Sequence, residues 1–443
     1  MVSLEKQDLS IVLENKQNFG EVHTPYSFIE RMFELLPEDI FTDPERKWLD
    51  PGAGKGFFSL FLYDRLMKSL ENLFHNPEKR REHILSNMIW MIELNPTHAT
   101  TIQKAFGSTE LNLISKDFLT IDNNNNELPD FDIVIGNPPF NSGGLKKVPT
   151  NSEKSKKMDG KTIWSQFIKK SMSLLSPNGL LLFVVPSIWM KEDKEGMYFY
   201  MNQYKIHKLH CLTNTEMNKV FKGHAQTPSC YFLMEKKSTE KKVLLYDNDV
   251  KSYVDYPLRS ENILPVACAY IVKKLMPYVD KYGSLGCVKK TNLPGKQINL
   301  STQKSKDYSY PNIKTCILKD KIQPELVIEY SNKPCVFHGK KKLVLAHGMY
   351  GFPYVDAKGE YGISNRDKYV FLSDNLEELN VLDKFLSSPL VFYLWDSTRY
   401  RMKYLEKYVF SLLPNVLKMT EEERKVFGSD IDIKLPRSKY LSL

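Results

Sequence analysis

The feature that most constrains this chain is a stiff tetrapeptide, Asn137-Pro138-Pro139-Phe140, placed directly after the apolar run Phe131 to Gly136 (FDIVIG). A short apolar run bounded by turn residues predicts a buried strand. Proline locks φ and pushes the residue before it into an extended conformation, so two prolines stiffen the end of that strand. The rigidity predicts that the Asn137 side-chain oxygen and the Pro138 carbonyl are held as two acceptors aimed out from the sheet, with the Phe140 ring beside them. Two acceptors and a stacking platform suit an exocyclic NH₂ on a planar ring or amide. A plain proline-rich loop is the alternative, and the buried strand ahead of it counts against that.

The surrounding pattern predicts the fold class. Trp48-Leu49, Met88 to Leu94, Asn112 to Ser115, Phe131 to Gly136, the run from Leu180 and Cys230 to Met234 look like buried strands. Phe57 to Met67 and Ile163 to Leu175 have helical spacing between them. Alternating strands and helices predict an α/β, doubly wound, mostly parallel sheet, whose ligands sit at the carboxyl ends of the strands. From about Lys236 the character changes to a chain richer in Lys, Tyr, Gly and Pro. There Leu343 to Ala346 and Tyr354 to Tyr361 look like hairpins, and Leu376 to Leu394 looks helical. This predicts domains at 1–240 and 241–443, the second of mixed α+β type.

Three further motifs fall at strand ends. Asp50-Pro51-Gly52-Ala53-Gly54-Lys55-Gly56 follows a strand and precedes a helix, where glycines admit a close ligand and helix N–H groups favour an anion. A tight βα turn alone would also explain it, and no Lys-Ser/Thr closes it as a P-loop. Glu93 ends the next strand, where a carboxylate can accept both hydroxyls of a ribose; a solvated strand-end acid is the alternative. Such an acid lies roughly 20 residues beyond the glycine loop in the usual case. Here the gap is 93 − 50 = 43 residues, which predicts an extra helical segment at about Lys68 to Ser86. Asp117 could accept from an adenine amino group, or serve as an Asx turn or helix N-cap.

Charge and cysteines narrow the class. Residues 1–250 hold 31 basic against 32 acidic side chains, and 251–443 hold 31 against 21, so the net +9 divides as −1 and +10. That division predicts a near-neutral catalytic half and a half that meets a polyanion, unless it is an ordinary solvated surface. The six cysteines form no CxxC pair, which predicts reduced thiols and no zinc site. His207, His210 and Cys211 are read as ordinary strand or loop positions, and no metal is expected. No long apolar run and no signal pattern occur, which predicts an intracellular protein away from membranes, cytoplasmic in a bacterium or inside the host cell for a virus.

DPGAGKG, Glu93, Asp117 and NPPF, in this order, resemble the amino-group methyltransferases that use S-adenosyl-L-methionine (AdoMet). Phe19-Gly-Glu-Val-His-Thr24-Pro25 is similar to the F-G-x-x-x-T-P element of gamma-group DNA adenine-N6 methyltransferases, a restriction-modification group. The resemblance covers roughly residues 15–240 and implies a Rossmann-like methyltransferase sheet followed by a target-recognition domain. It implies that Thr24, Pro25 and the loop Asp50, Pro51, Gly52, Ala53, Gly54 and Gly56 hold the methionine end of AdoMet. Glu93 would then hold its ribose and Asp117 its adenine. Asn137, Pro138, Pro139 and Phe140 would act on a flipped-out adenine, and Phe221 would supply a second aromatic against that base, though it could equally be core. The implied partners are double-stranded DNA and a companion restriction endonuclease or other protein.

Candidate phosphate contacts are Lys289, Lys290, Lys296, Lys304, Lys306, Lys340 to Lys342, Arg366, Arg399 and Arg401, each also readable as a plain solvated charge. Lys146, Lys147, Lys154, Lys156 and Lys157 form a second cluster beside NPPF, read as a loop that orders on DNA or a linker without DNA contact. The rival functions are an RNA adenine-N6 methyltransferase, an N4-cytosine enzyme and an inactive DNA-specificity subunit.

Overall fold

A computed structural model describes residues 24–122, 128–142, 162–193, 195–222, 227–258, 263–290, 293–319, 323–346, 353–366, 368–398 and 405–431. The expectations for Phe19 to His23, the asparagine tract at 123–126, the lysine cluster at 146–157, Arg399 and Arg401 fall outside the described residues, as do the side chains of Lys289 and Lys290.

Helix α1 (Tyr26–Phe33) opens the described chain; Pro25 precedes it in extended conformation and its carbonyl accepts from Phe28 N–H at 2.9 Å. It buries Phe28, Ile29, Met32 and Phe33, the spacing of one helical face. Truncating a ring such as Phe28, 2% exposed, would cost about 3–5 kcal/mol. Strand β1 (Trp48–Asp50) follows, then α2 (Phe57–Ser69). The extra segment before the next strand is present as α3 (Pro77–His83), capped by Asn76, and a π turn at Ile84–Met88. Arg81 ties it down through a hydrogen bond to the Phe106 carbonyl.

Strand β2 (Ile89–Ile92), α4 (Pro96–Phe106), β3 (Asn112–Ile114), β4 (Phe131–Gly136), α5 (Trp164–Leu174) and β5 (Leu175–Pro186) complete the parallel part. Helix α6 (Met197–Met201) leads to β6 (Tyr204–Leu212), and α7 (Asn214–Val220) to β7 (Ser229–Ser238). With β8 (Lys242–Asp247) and β9 (Ser252–Pro257) the sheet has the order β3-β2-β1-β4-β5-β7-β6-β8-β9. β1 to β5 pair in parallel, while β7 runs antiparallel between β5 and β6. Chain direction across the sheet reverses between β1 and β4, so the crevice above those two strands is the place for a ligand. This is the doubly wound α/β sheet expected from the pattern, and the stretch around His207, His210 and Cys211, expected to be strand or loop, is strand β6. The change of character expected from about Lys236 begins inside β7, which runs on to Ser238.

The chain divides into two compact units, residues 1–246 with 255–258, and 247–254 with 259–443. The second unit opens its helical part with α8 (Ala269–Tyr282), whose first N–H groups include Tyr270 donating to Asp247 Oδ2 at 2.9 Å. It contains β10 (Val288–Lys290), β11 (Leu300–Ser301), β12 (Tyr310–Lys319), β13 (Gln323–Ser331), β14 (Lys342–Ala346), β15 (Tyr354–Asp356), β16 (Gly362–Ile363) and β17 (Lys368–Leu372). These form two four-stranded sheets, β10-β17-β14-β15 and β11-β13-β12-β16. β14 and β15 pair antiparallel, but Tyr354 to Tyr361 is not a hairpin: after the Asp356–Gly359 turn the chain crosses to the other sheet as β16. Leu376 to Leu394 is two helices, α9 (Leu376–Leu386) and α10 (Pro389–Ser397), because Pro389 ends one and begins the next. Helix α11 (Glu421–Ile431) closes the described chain.

Candidate active site

The site is built where β1 and β4 end side by side. Gly136, the last residue of β4, has φ +153°, and a Cβ there would stand 3.2 Å from Asp50 Oδ1 and 3.7 Å from both Pro51 Cδ and Phe183 Cε1. Only glycine lets the two strand ends approach so closely. The sequence reading passed over Gly136, although its place as the last letter of FDIVIG was the available signal.

Asp50 is 2% exposed and lies beneath the loop. Its Oδ2 accepts from Ser59 Oγ at 3.2 Å, while Oδ1 is a buried acceptor with no hydrogen bond among the described residues. Burial pushes its carboxyl up to about 7, against the lowering pull of the Ser59 and Gly52 donors. The loop itself turns through Gly56, at φ +84° and the N-cap of α2. Ala53 N–H donates to the Ile92 carbonyl at 3.0 Å, and Gly54 N–H to Glu93 Oε2 at 2.6 Å. Glu93 Oε1 accepts from Asn95 N–H at 2.8 Å and faces His98 Nδ1 at 3.6 Å. The Glu93 carboxylate thus clamps the glycine loop, and each oxygen keeps a second lone pair for another donor.

Asp117 caps the short turn at Phe118–Thr120 by accepting from Leu119 N–H at 2.9 Å, a role that uses one oxygen. The Phe118 ring lies 5.2 Å from that of Phe167 on α5. Phe167 Cε1 and Pro139 Cδ stand 3.7 and 3.8 Å from where a Gly52 side chain would begin. Phe167 therefore gathers the loops after β1 and β3, and Gly52 meets the NPPF turn at Pro139. Lys170, one turn along α5, donates to the Ile121 carbonyl and lies 5.2 Å from the Phe118 ring. Burial lowers its pKa, and Asp117 and Asp122 oppose that shift. Neither Phe167 nor Lys170 was singled out in the sequence, where the helical period showed a buried face without its neighbours.

Asn137 is half-buried, and its Nδ2 donates to Thr24 Oγ1 at 3.0 Å across 113 residues of sequence. Pro138 is buried, Phe140 is partly exposed, and the Phe140 carbonyl accepts from Ile163 N–H at 3.2 Å. Phe221, in contrast, takes the core alternative: it is 3% exposed, sits in the core and meets Phe28 edge-on at 5.6 Å. The Thr213–Glu216 capping box starts α7, which turns Phe221 inward with Met217.

His207, His210 and Cys211 diverge. His207 pairs with Glu235 at 2.9 Å, and Cys211 Sγ points to Met190 Sδ at 3.3 Å. His210 bonds Tyr231 Oη at 2.7 Å between the rings of Tyr231 and Tyr246, where burial, aided by Arg31, pushes its pKa down to about 3. Among the described residues no group of three such side chains is placed to hold a metal, and no helix is long and apolar enough to cross a membrane. In the second unit Lys296, Lys304, Lys306, Lys340, Lys341 and Arg366 are exposed. Lys342 is not a surface contact: it is fully buried, donating to Asp356 at 2.5 Å and to the carbonyls of Phe337 and Lys340. It lies on the inner face of β14, where only a paired charge is tolerated.

Comparison with known proteins adds an independent finding. Residues 66–221 match the model of the Eco57I restriction-modification methylase family. The chain is 37% identical over 93 residues to an uncharacterized adenine-specific methylase of Mycoplasma pneumoniae, covering 20% of this chain and 22% of that one. It is 27% identical over 247 residues to the type II methyltransferase M.BstVI of Geobacillus stearothermophilus, covering 51% and 43%. It is 25% identical over 138 residues to the tRNA1(Val) (adenine(37)-N6)-methyltransferase of Bacteroides fragilis, covering 31% and 51%. The chain spans between 22% and 51% of the length of these relatives. The family match spans Glu93, Asp117 and Asn137 to Phe140 and begins after the glycine loop; with the adenine-specific methylase it supports the resemblance to adenine-directed methylases of the restriction-modification kind.

Proposed function

We propose that this protein transfers a methyl group from AdoMet to the N6 amino group of an adenine flipped out of duplex DNA. The observation that carries the reading is the Asn137 amide at the β1/β4 crevice, with its nitrogen engaged by Thr24 and its oxygen left for a donor.

The residues present fit AdoMet. Gly54 has no heavy atom within 4 Å of where a side chain would stand, so the loop is an open cradle. Glu93 has acceptor capacity for a ribose diol, Asp117 for an adenine amine, and Phe118 with Phe167 forms an apolar floor. When bound, AdoMet supplies an electrophilic methyl on a sulfonium. The rest is done by the chain. Adenine N6 is a poor nucleophile because its lone pair is delocalised into the ring. Accepting its two N–H bonds at Asn137 Oδ1 and the Pro138 carbonyl draws the nitrogen toward sp³ geometry and stabilises the positive charge that grows on it. These acceptors are held by a strand end and two prolines, so little reorganisation is needed at the moment of reaction. Phe140 recovers by stacking part of the cost of unstacking the base. The basic second unit would supply phosphate contacts, and a companion endonuclease or specificity protein is the partner class implied.

The likeness to a tRNA adenine methyltransferase supports a second reading in which the adenine lies in RNA. Transfer of labelled methyl to duplex DNA and to tRNA, with nucleoside analysis, separates the two. N6-methyladenine in DNA is expected, and Asn137→Ala is expected to abolish transfer while S-adenosylhomocysteine still binds. Substantial residual turnover by Asn137→Ala would sink the assignment.

A further inference from the structure

We propose that Thr24 is a positioning residue that sets which way round the Asn137 amide faces, an inference that rests on the amino-methylation reading above. A carboxamide has an oxygen and an NH₂ of nearly equal shape, and a half-turn of its plane exchanges them. For Asn137 the exchange is decisive. With Oδ1 toward the target the amide accepts from the amine; with Nδ2 toward it, donor meets donor and the lone pair of the nucleophile is not localised.

Nothing in the NPPF backbone selects between the two. Prolines fix the direction of the side chain but leave its terminal torsion free. The contact that bears on the choice is Thr24 Oγ1, 3.0 Å from Nδ2, the hydrogen bond that the Asn137 side chain makes among the described residues. A hydroxyl can donate as well as accept, so it selects Nδ2 only when its own hydrogen is committed to another acceptor, and the methionine carboxylate of AdoMet is the acceptor this reading supplies. Thr24 is suited to the task because it cannot drift. It is 6% exposed, so water competes poorly for Nδ2. Pro25 follows it, and the Pro25 carbonyl accepts from both Phe28 and Ile29 at the start of α1, whose apolar face is seated in the core. The position of one hydroxyl is thereby referred to the packing of a whole helix. A threonine hydroxyl that accepts from Nδ2 keeps its own hydrogen to donate elsewhere. A contact to the methionine end of AdoMet is therefore part of this role, because it takes up the hydrogen with which Thr24 could otherwise donate to Oδ1.

Thr24→Val keeps the branched shape and removes the oxygen. Orientation of Asn137 predicts a fall in kcat of about ten-fold, ~1.4 kcal/mol, at saturating AdoMet. Binding of S-adenosylhomocysteine, measured by calorimetry without turnover, is expected to weaken as well, and saturating AdoMet removes that loss from kcat. Thr24→Ser, which returns the hydroxyl, is expected to recover most of the lost kcat. Thr24→Ala is measured beside Thr24→Val in case the valine disturbs folding, with melting midpoints recorded for both. An unchanged kcat in whichever variant folds overturns the proposal, as does a raised Kd with kcat intact. A serine variant as impaired as the valine would also overturn it, because packing and not the hydroxyl would then be at work. If the wild-type chain methylates no amino group at all, the function reading falls and this inference falls with it.

Discussion

Gly136→Ala tests whether the close approach of β1 and β4 is what builds the site. Two costs can be separated. The backbone at φ +153° lies in a region that side-chain-bearing residues rarely adopt, at about 1–3 kcal/mol. The added methyl would also meet Asp50 Oδ1 at 3.2 Å, and that carboxyl has little room to retreat because its other oxygen is bonded to Ser59. Overpacking of this kind costs about 1–3 kcal/mol, so the sum is about 2–5 kcal/mol. Gly196→Ala is the control: it has φ +68° with no heavy atom within 4 Å of the new Cβ, so it carries the backbone cost alone. Chemical denaturation followed by tryptophan fluorescence should therefore show Gly136→Ala as the more damaging of the two. Relief of the clash must shift the Asp50 carboxyl or the Gly136 backbone that leads into Asn137, and misplacement by about 1 Å near reacting atoms costs on the order of 100-fold in rate. A Gly136→Ala protein within about 0.5 kcal/mol of wild type and with normal kcat would refute the argument.

Three other outcomes follow from single sites. Asp50 has a folded pKa of about 7 against a usual 3.8, so the native state holds the extra proton between those values. Its contribution is therefore greatest below about pH 4 and is lost as pH climbs to about 7, by at most ~4 kcal/mol. Asp50→Asn should flatten that part of the stability profile and exceed wild type at pH 8 in urea titrations; a wild-type profile already flat from pH 4 to 7 would contradict it. Lys342→Ala leaves the Asp356 carboxylate buried without its cation, with Glu360 and Tyr361 N–H groups as its remaining donors, and should cost about 3–5 kcal/mol. A change below about 1 kcal/mol in equilibrium unfolding would mean the pair relaxes into solvent. Duplex affinity should fall with salt, and Lys304→Gln or Lys306→Gln should each reduce the log–log slope by about 0.9 if that lysine meets a phosphate. An unchanged slope removes that residue from the interface.

Parts of this molecule that depend on local grammar could be read without coordinates. A glycine loop between an apolar run and an amphipathic one, or prolines after a buried strand, speak for themselves because the same few residues both encode and form the structure. So the sheet was legible through β5, as was the extra helix forced by the 43-residue gap to Glu93. What local grammar does not carry is which strands become neighbours. β6 stayed open between strand and loop because Tyr204 to Leu212 alternates His and Lys with apolar residues, and only its place between β7 and β8 makes its inner positions core. Lys342 was misread for the same reason: a lysine among lysines looks exposed until Asp356, on the paired strand, is known to face it.

The site divides along the same line. Asn137, Glu93 and the Asp50–Gly56 loop each announce themselves at a strand end, yet their joint geometry is set by contacts between distant segments. Gly136 against Asp50, Gly52 between Pro139 and Phe167, and Thr24 on Asn137 are all such contacts. Phe221 shows the hazard of placing residues by order alone. It has the right residue type at the right point in the chain, but α7 packs it against Phe28, the helix residue that follows the Thr24-Pro25 entry. The same core therefore anchors the element that positions Asn137 and takes in the aromatic that order had assigned to the base. A substitution such as Phe28→Ala should consequently reach the chemistry through Thr24 as well as through stability. Loss of kcat beyond that seen in an equally destabilised variant remote from α1 is the measurable sign of that route, and parity between the two would argue that α1 supports the fold alone.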